Sequence, residues 1–105
     1  MNKSKLEDSI RYKRFDLPEE CTPEERIMLS VIIQAIKDSC AKARYRINKT
    51  GTRYDVNTTL RNTGRSYLRS DMPHARLLNI DPAWVREILN KAGIEINLDI
   101  NQHNH

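Results

Sequence analysis

Three helix-sized apolar segments separated by two sharp stops occupy residues 66–93, and no other feature constrains the fold as strongly. The middle segment, Met72–Leu78, is short and is followed by Asn79. Asp81 and Pro82 then restart a helix, because an aspartate N-cap followed by proline at the first helical position is a strong start signal. Short helices joined by tight turns in this order predict a helix-turn-helix-like unit.

The last of these helices is amphipathic, and Gly93 provides its C-terminal stop. Its apolar positions share one face and are Trp84, Val85, Ile88, Leu89 and Ala92. Its outward positions are Ala83, Arg86, Glu87, Asn90 and Lys91. Two interpretations are open at this point. In the first, the outward face contacts DNA, as the last helix of such a unit commonly does. In the second, the unit is a plain three-helix core whose outer face has no binding role.

An earlier helix start is marked by Thr22, Pro23 and Glu25, which together form a capping box with proline at the first helical position. Apolar residues then recur at steps of three and four, so we expect a helix from Pro23 to about Tyr45. Its apolar stripe is broad enough to need cover on more than one side. That cover is either the rest of the domain or a second copy of the chain, which would make a homodimer.

Two segments alternate polar and apolar residues with the period of a strand. In residues 46–62 the pattern predicts a short strand or a mobile loop, and in the tail it predicts a strand over 94–101. The tail pairs either with residues 54–60 as a ribbon or with the tail of a second subunit.

These patterns predict a mainly α fold, a small helical domain with a helix-turn-helix-like C-terminal half and a short strand or ribbon at the tail. We expect a flexible or extended arm at 1–21, the helical domain at 22–93 and the strand-like tail at 94–105.

The positive charge is concentrated in one region. The whole chain has a formal net charge of +4, whereas Lys42 to Arg76 contains nine lysines and arginines against two aspartates. Such a cluster favours an anionic partner, and the planar guanidinium of arginine suits phosphate. A solvated surface without a partner is the alternative.

Other functional classes find little support in the sequence. The two cysteines lack metal-ligand spacing, and the HxH formed by His103 and His105 would need further rigidly held ligands to bind a metal. We find no phosphate-binding loop or nucleophile motif. We therefore expect no enzyme activity, no metal and no cofactor. With no run of about 18 apolar residues and no secretory signal at the N-terminus, we expect no membrane association and a cytoplasmic location.

The segments IMLSVIIQAIKDSCAKA, YLRS and ARLLNIDPAWVREIL resemble a loose group of small uncharacterised bacterial proteins linked to prophages. The resemblance covers roughly residues 24–92, with Asn79 in place of the usual glycine. The matching positions are Tyr67, Leu68, Leu77, Leu78, Ile80, Asp81, Pro82, Val85 and Arg86. The resemblance implies a phage or mobile-element context, in which small proteins bind DNA or block a host protein.

The first functional hypothesis is therefore a small DNA-binding regulator with a helix-turn-helix and a basic surface. Arg86 and Asn90 would read base edges, and the other basic side chains would grip phosphates. The candidate nucleic-acid-binding residues are Lys42, Arg44, Arg46, Lys49, Arg53, Arg65, Arg69, Arg76, Arg86, Asn90 and Lys91. The second hypothesis is a mobile-element module that docks on a host protein through its basic face or its tail strand.

Overall fold

A computed structural model describes residues 3–99, and in this part of the chain the protein is mainly helical, as predicted. Five helices and one β-hairpin follow one another along residues 3–99. They are α1 (Lys3–Arg11), α2 (Pro23–Ser39), β1 (Tyr45–Ile47), β2 (Arg53–Asp55), α3 (Thr58–Arg69), α4 (Pro73–Leu77) and α5 (Pro82–Lys91).

Helix α2 begins with the predicted capping box. The Thr22 hydroxyl accepts from the Glu25 amide at 3.2 Å, and the Glu25 carboxylate accepts from the Thr22 amide at 2.9 Å. The helix ends at Ser39, however, not near Tyr45. The Asn57 side chain, just before α3, donates to the Lys42 carbonyl, and Arg61 of α3 donates to the Ala41 carbonyl. These bonds hold the chain away from the helical path.

The predicted stops within residues 66–93 are confirmed. Asn79, with φ of +58°, ends α4, and Gly93, with φ of +72°, follows α5. In both places the next residue donates its amide to a carbonyl five positions back and buries its side chain, as in a Schellman motif. The restart is also as predicted, since the Asp81 carboxylate accepts from the Ala83 amide at 3.0 Å.

The prediction of a flexible or extended arm at 1–21 is wrong for residues 3–11. They form α1, which packs against α5 and buries Leu6, Ser9 and Ile10. Leu6 and Ile10 are four residues apart, so a single helical turn brings both onto the core. Two apolar residues in a charged segment are a weak signal, and the packing against α5 stabilises this helix.

The predicted tail strand is also wrong over residues 94–99, which form no strand, while residues 100–105 lie outside the described part of the chain. Ile94 is buried and Ile96 is half-buried against the core. Residues 54–60 do not pair with the tail either. Tyr54 and Asp55 belong to β2, which pairs with β1, and the helix α3 has already begun at Thr58.

The core lies where α2 crosses α3 and α4, with α1 and α5 completing it. Helices α2 and α3 approach closely at Gly64, where an added Cβ would lie 2.5 Å from the Ala35 carbonyl oxygen. The largest fully buried apolar side chains are Leu6, Ile10, Leu29, Ile32, Ile36, Leu68, Met72, Ile80, Val85 and Leu89.

The packing partners of α4 and α5 differ from those of a paired helix-turn-helix. Helix α4 packs on α2, whereas α5 packs on α1 and α3, so neither is the other's main partner. None of the helices in residues 3–99 is long and apolar enough to cross a membrane.

Candidate nucleic-acid interface

The β-hairpin formed by β1 and β2 has a five-residue connection that is closed by hydrogen bonds. The strands are antiparallel, with Arg46 opposite Tyr54. Gly51 adopts φ of +84°, a conformation that side chains disfavour. The Asn48 side-chain oxygen accepts from the amides of Thr50 (3.0 Å) and Thr52 (2.9 Å). These bonds fix the tip on which Lys49 lies.

Both faces of the hairpin carry exposed aromatic or apolar groups beside arginine. Side chains alternate between the faces of a strand, so Tyr45, Ile47 and Arg53 share one face, and Arg46 and Tyr54 share the other. Tyr45, Ile47 and Tyr54 are 54%, 71% and 43% exposed. The Arg53 guanidinium lies 3.9 Å from the centre of the Tyr45 ring, a cation–π contact.

The basic side chains of the hairpin are available to a ligand. Within residues 3–99, none of the five basic side chains from Lys42 to Arg53 forms an ion pair with a carboxylate. Neither strand packs extensively on a helix, and every strand residue except Asp55 is exposed. The available cations are Lys42, Arg44, Arg46, Lys49 and Arg53. They give the hairpin and its base a concentrated positive charge.

Asp55, the single carboxylate between residues 42 and 55, anchors the hairpin to α3. One of its oxygens accepts from the Arg44 and Asn57 amides, both at 2.9 Å, and the other pairs with the Arg61 guanidinium. The Asn57 amide group also donates to the Lys42 carbonyl at 2.8 Å. The one carboxylate of the hairpin, Asp55, is therefore paired with Arg61 within the protein, and its negative charge does not oppose an anionic ligand.

The anchor makes the stability of the hairpin base dependent on pH. The Arg44 amide, then the Arg61 guanidinium, hold the pKa of Asp55 at about 2, below its ordinary value of 3.8. Because the folded pKa is the lower one, the stabilisation is complete above 3.8 and is lost as the pH falls towards 2. We expect an NMR titration of the Asp55 carboxyl carbon to show this low pKa. An ordinary value would contradict the anchor. Arg61→Met should raise the pKa of Asp55 only part of the way towards 3.8, because the Arg44 and Asn57 amides still donate to the carboxylate.

Arg65, a predicted phosphate contact, is instead committed to the fold. Its side chain is only 10% exposed and pairs with Asp99 at 2.6 Å. It also donates to the carbonyls of Glu95 (3.2 Å) and Asn97 (3.1 Å). Asp99 uses its second oxygen to accept from Arg61 at 2.9 Å. Arg65 and Arg61 therefore hold the segment 94–99 against α3, which makes Arg65 unavailable to phosphate.

Three further predicted residues have partners within the protein. Arg86 donates to the carbonyls of Leu68 and Ser70, at 3.2 and 3.0 Å, and so caps the end of α3. Arg76 pairs with Asp71 at 2.6 Å and Lys91 with Glu87 at 3.2 Å, both at the exposed surface.

The two remaining candidates, Arg69 and Asn90, are exposed and have no side-chain partner in the described residues. Asn90 lies beside Arg86 at a shallow cleft that is also lined by residues 93–97. The predicted residues thus fall into two groups. Those of the hairpin and its base form no ion pair within residues 3–99, whereas most of those on α3, α4 and α5 contact other residues of the protein.

The hairpin and its exposed side chains Tyr45 and Tyr54 were not predicted from the sequence as a contact surface. The signal was present, since YRI and RYD flank the turn residues Asn48 and Gly51. Among the described residues, no three histidine, cysteine or acidic side chains lie close enough to hold a metal ion. Comparison of the chain with protein-family models, curated proteins and solved structures found no match.

Proposed function

We propose that this protein is a small DNA-binding protein whose principal contact surface is the β-hairpin. One observation supports the proposal above the others: within residues 3–99, the exposed hairpin and its base carry five basic side chains that form no ion pair, and the hairpin also presents two tyrosines. Unpaired cations on a projecting element release counterions when they meet phosphate, which is the main source of affinity for DNA. Tyrosine adds contacts to sugar and base.

A salt titration tests the proposal. We expect a labelled mixed-sequence DNA duplex to bind the protein tightly at about 50 mM salt, as followed by fluorescence anisotropy. Between about 50 and about 200 mM salt the affinity should fall roughly 500-fold if all five cations contact phosphate. Failure to bind at the lower salt concentration would exclude the proposal.

A second candidate function is docking on a host protein, and the exposed apolar side chains of the hairpin favour it. Ile47 is 71% exposed, and in residues 3–99 each strand pairs only with the other, so both outer edges can accept a strand from a partner. Such binding would depend on Ile47 and vary little with salt. Replacing Ile47 by threonine separates the two functions, since DNA binding should survive this change and a strand-addition complex should not.

The cellular setting belongs to the same proposal. A regulator from a phage or other mobile element that works in the cytoplasm fits a small basic chain of this kind. The proposal also includes dimerisation through α2. The exposed apolar side chain of Ile27 on α2, which is 64% exposed, supports this. Sedimentation equilibrium at micromolar concentrations distinguishes a monomer from a dimer.

A further inference from the structure

The hairpin and helix α5 both carry exposed groups able to contact DNA, and they differ sharply in charge. We infer that the ligand is duplex DNA and that the hairpin, not α5, enters its major groove. This inference rests on the proposed function and adds to it the form of nucleic acid and the element that reads it.

The form of the hairpin, a two-stranded antiparallel ribbon, suits the major groove. A two-stranded ribbon is an element that the groove admits, since the groove is about 12 Å wide, whereas the minor groove is only about 6 Å wide. The fixed tip projects Lys49 ahead of the strands, and Arg53 and Arg46 lie on opposite faces. A ribbon inserted between two phosphate backbones needs cations in these directions.

The positions of the tyrosines argue against a single strand as the preferred ligand. Proteins that bind single strands stack successive bases on aromatic rings along one groove. Here Tyr45 and Tyr54 point to opposite faces of the hairpin, and the Arg53 guanidinium lies over the ring of Tyr45. The hairpin therefore offers no continuous stacking surface for two successive bases.

Double-stranded RNA is disfavoured by its own shape. The major groove of the A-form helix is deep and narrow, and side chains cannot read it. A ribbon that fits the B-form groove is consequently excluded from the bases of an RNA duplex, and phosphate contacts alone would remain.

Helix α5 offers a poorer surface for the groove. Lys91 is paired with Glu87, and the Arg86 guanidinium is bound to the end of α3. The neighbouring segment 93–97 adds Glu95, an exposed carboxylate, beside Asn90. These acids would lie against the phosphates if α5 docked, whereas the hairpin places its one acid against Arg61.

The test compares three ligands of one sequence, a DNA duplex, its single strand and the RNA duplex, with the full-length protein at about 50 mM salt. We expect the DNA duplex to bind about tenfold or more tightly than either, because duplex DNA releases more counterions per contact than a single strand and the RNA groove is closed to the ribbon. Methyl green, which occupies the major groove, should compete, and netropsin, which occupies the minor groove, should not.

Matched variants assign the reading element. We expect Arg46→Ala to weaken duplex binding about tenfold, in line with the loss of one phosphate or base contact, and Asn90→Ala to leave it unchanged. Tighter binding to the single strand, competition by netropsin, or a loss confined to Asn90→Ala would overturn the inference while DNA binding itself stood. Absence of binding to all three ligands would overturn both the inference and the proposed function.

Discussion

Replacing Gly64 by alanine is expected to lower the free energy of unfolding by roughly 1 to 3 kcal/mol, even though alanine favours helix more than glycine does. The new Cβ would lie 2.5 Å from the Ala35 carbonyl oxygen and 2.9 Å from the Ser39 amide nitrogen. Both are backbone atoms of α2, so no side-chain rotation relieves the contact and the helices must separate. In a domain whose total stability is about 5 to 15 kcal/mol, that is a large effect.

Urea denaturation followed by circular dichroism measures this loss, and Ser66→Ala is the matched control. Ser66 lies on the exposed face of the same helix, so its replacement should change stability by no more than about 0.5 kcal/mol. A Gly64→Ala protein as stable as the parent would mean that α2 and α3 do not approach so closely.

The second large effect concerns binding. Replacing Arg46, Lys49 and Arg53 together by alanine is expected to weaken duplex DNA binding about 100-fold at about 200 mM salt, the loss that three phosphate contacts predict. The three side chains are exposed on the hairpin and contribute nothing to the buried core. The thermal unfolding of the helical domain should therefore change little, and fluorescence anisotropy should report the change in affinity.

A charge-matched variant controls for the overall loss of three positive charges. Arg14, Arg26 and Lys37 are exposed and lie outside the hairpin, on or before α2. Replacing these three by alanine removes the same charge, yet we expect most of the affinity to remain, because only cations close to phosphate release counterions strongly. Equal losses in the two variants would assign binding to the net charge and not to the hairpin.

Much of the fold was predictable because its helices carry local signals. Thr22 and Glu25 form their capping box, Asp81 caps α5, and Gly93 follows it in a left-handed conformation. Each of these signals acts within a few residues, so its geometry does not depend on the rest of the chain.

The features that the sequence did not predict depend on contacts between distant residues. Helix α1 exists because Leu6 and Ile10 pack against α5, some seventy residues or more further along the chain. The tail alternates like a strand, but its backbone carbonyls are bound by Arg65 and its Asp99 carboxylate by Arg61 and Arg65. Periodicity cannot reveal that two arginines on α3 meet this segment, and the hydrogen bonds they supply replace those of a strand partner.

The candidate site shows the same division. The concentration of arginine and lysine between residues 42 and 76 was visible in the sequence, but the availability of each side chain was not. Arg65 and Arg46 are the same residue type, yet one is buried in an ion pair and the other lies exposed on a strand. The difference arises because the segment 94–99 packs over Arg65, whereas the hairpin carries Arg46 away from the core.

The salt dependence of duplex binding, compared between the parent and the two triple variants, tests the role of the hairpin most directly. We expect the slope of log affinity against log salt concentration to become about 2.7 units shallower when Arg46, Lys49 and Arg53 are replaced. The slope should hold its parental value when Arg14, Arg26 and Lys37 are replaced. An unchanged slope in the hairpin variant, with binding intact, would show that the DNA contacts lie elsewhere on the protein.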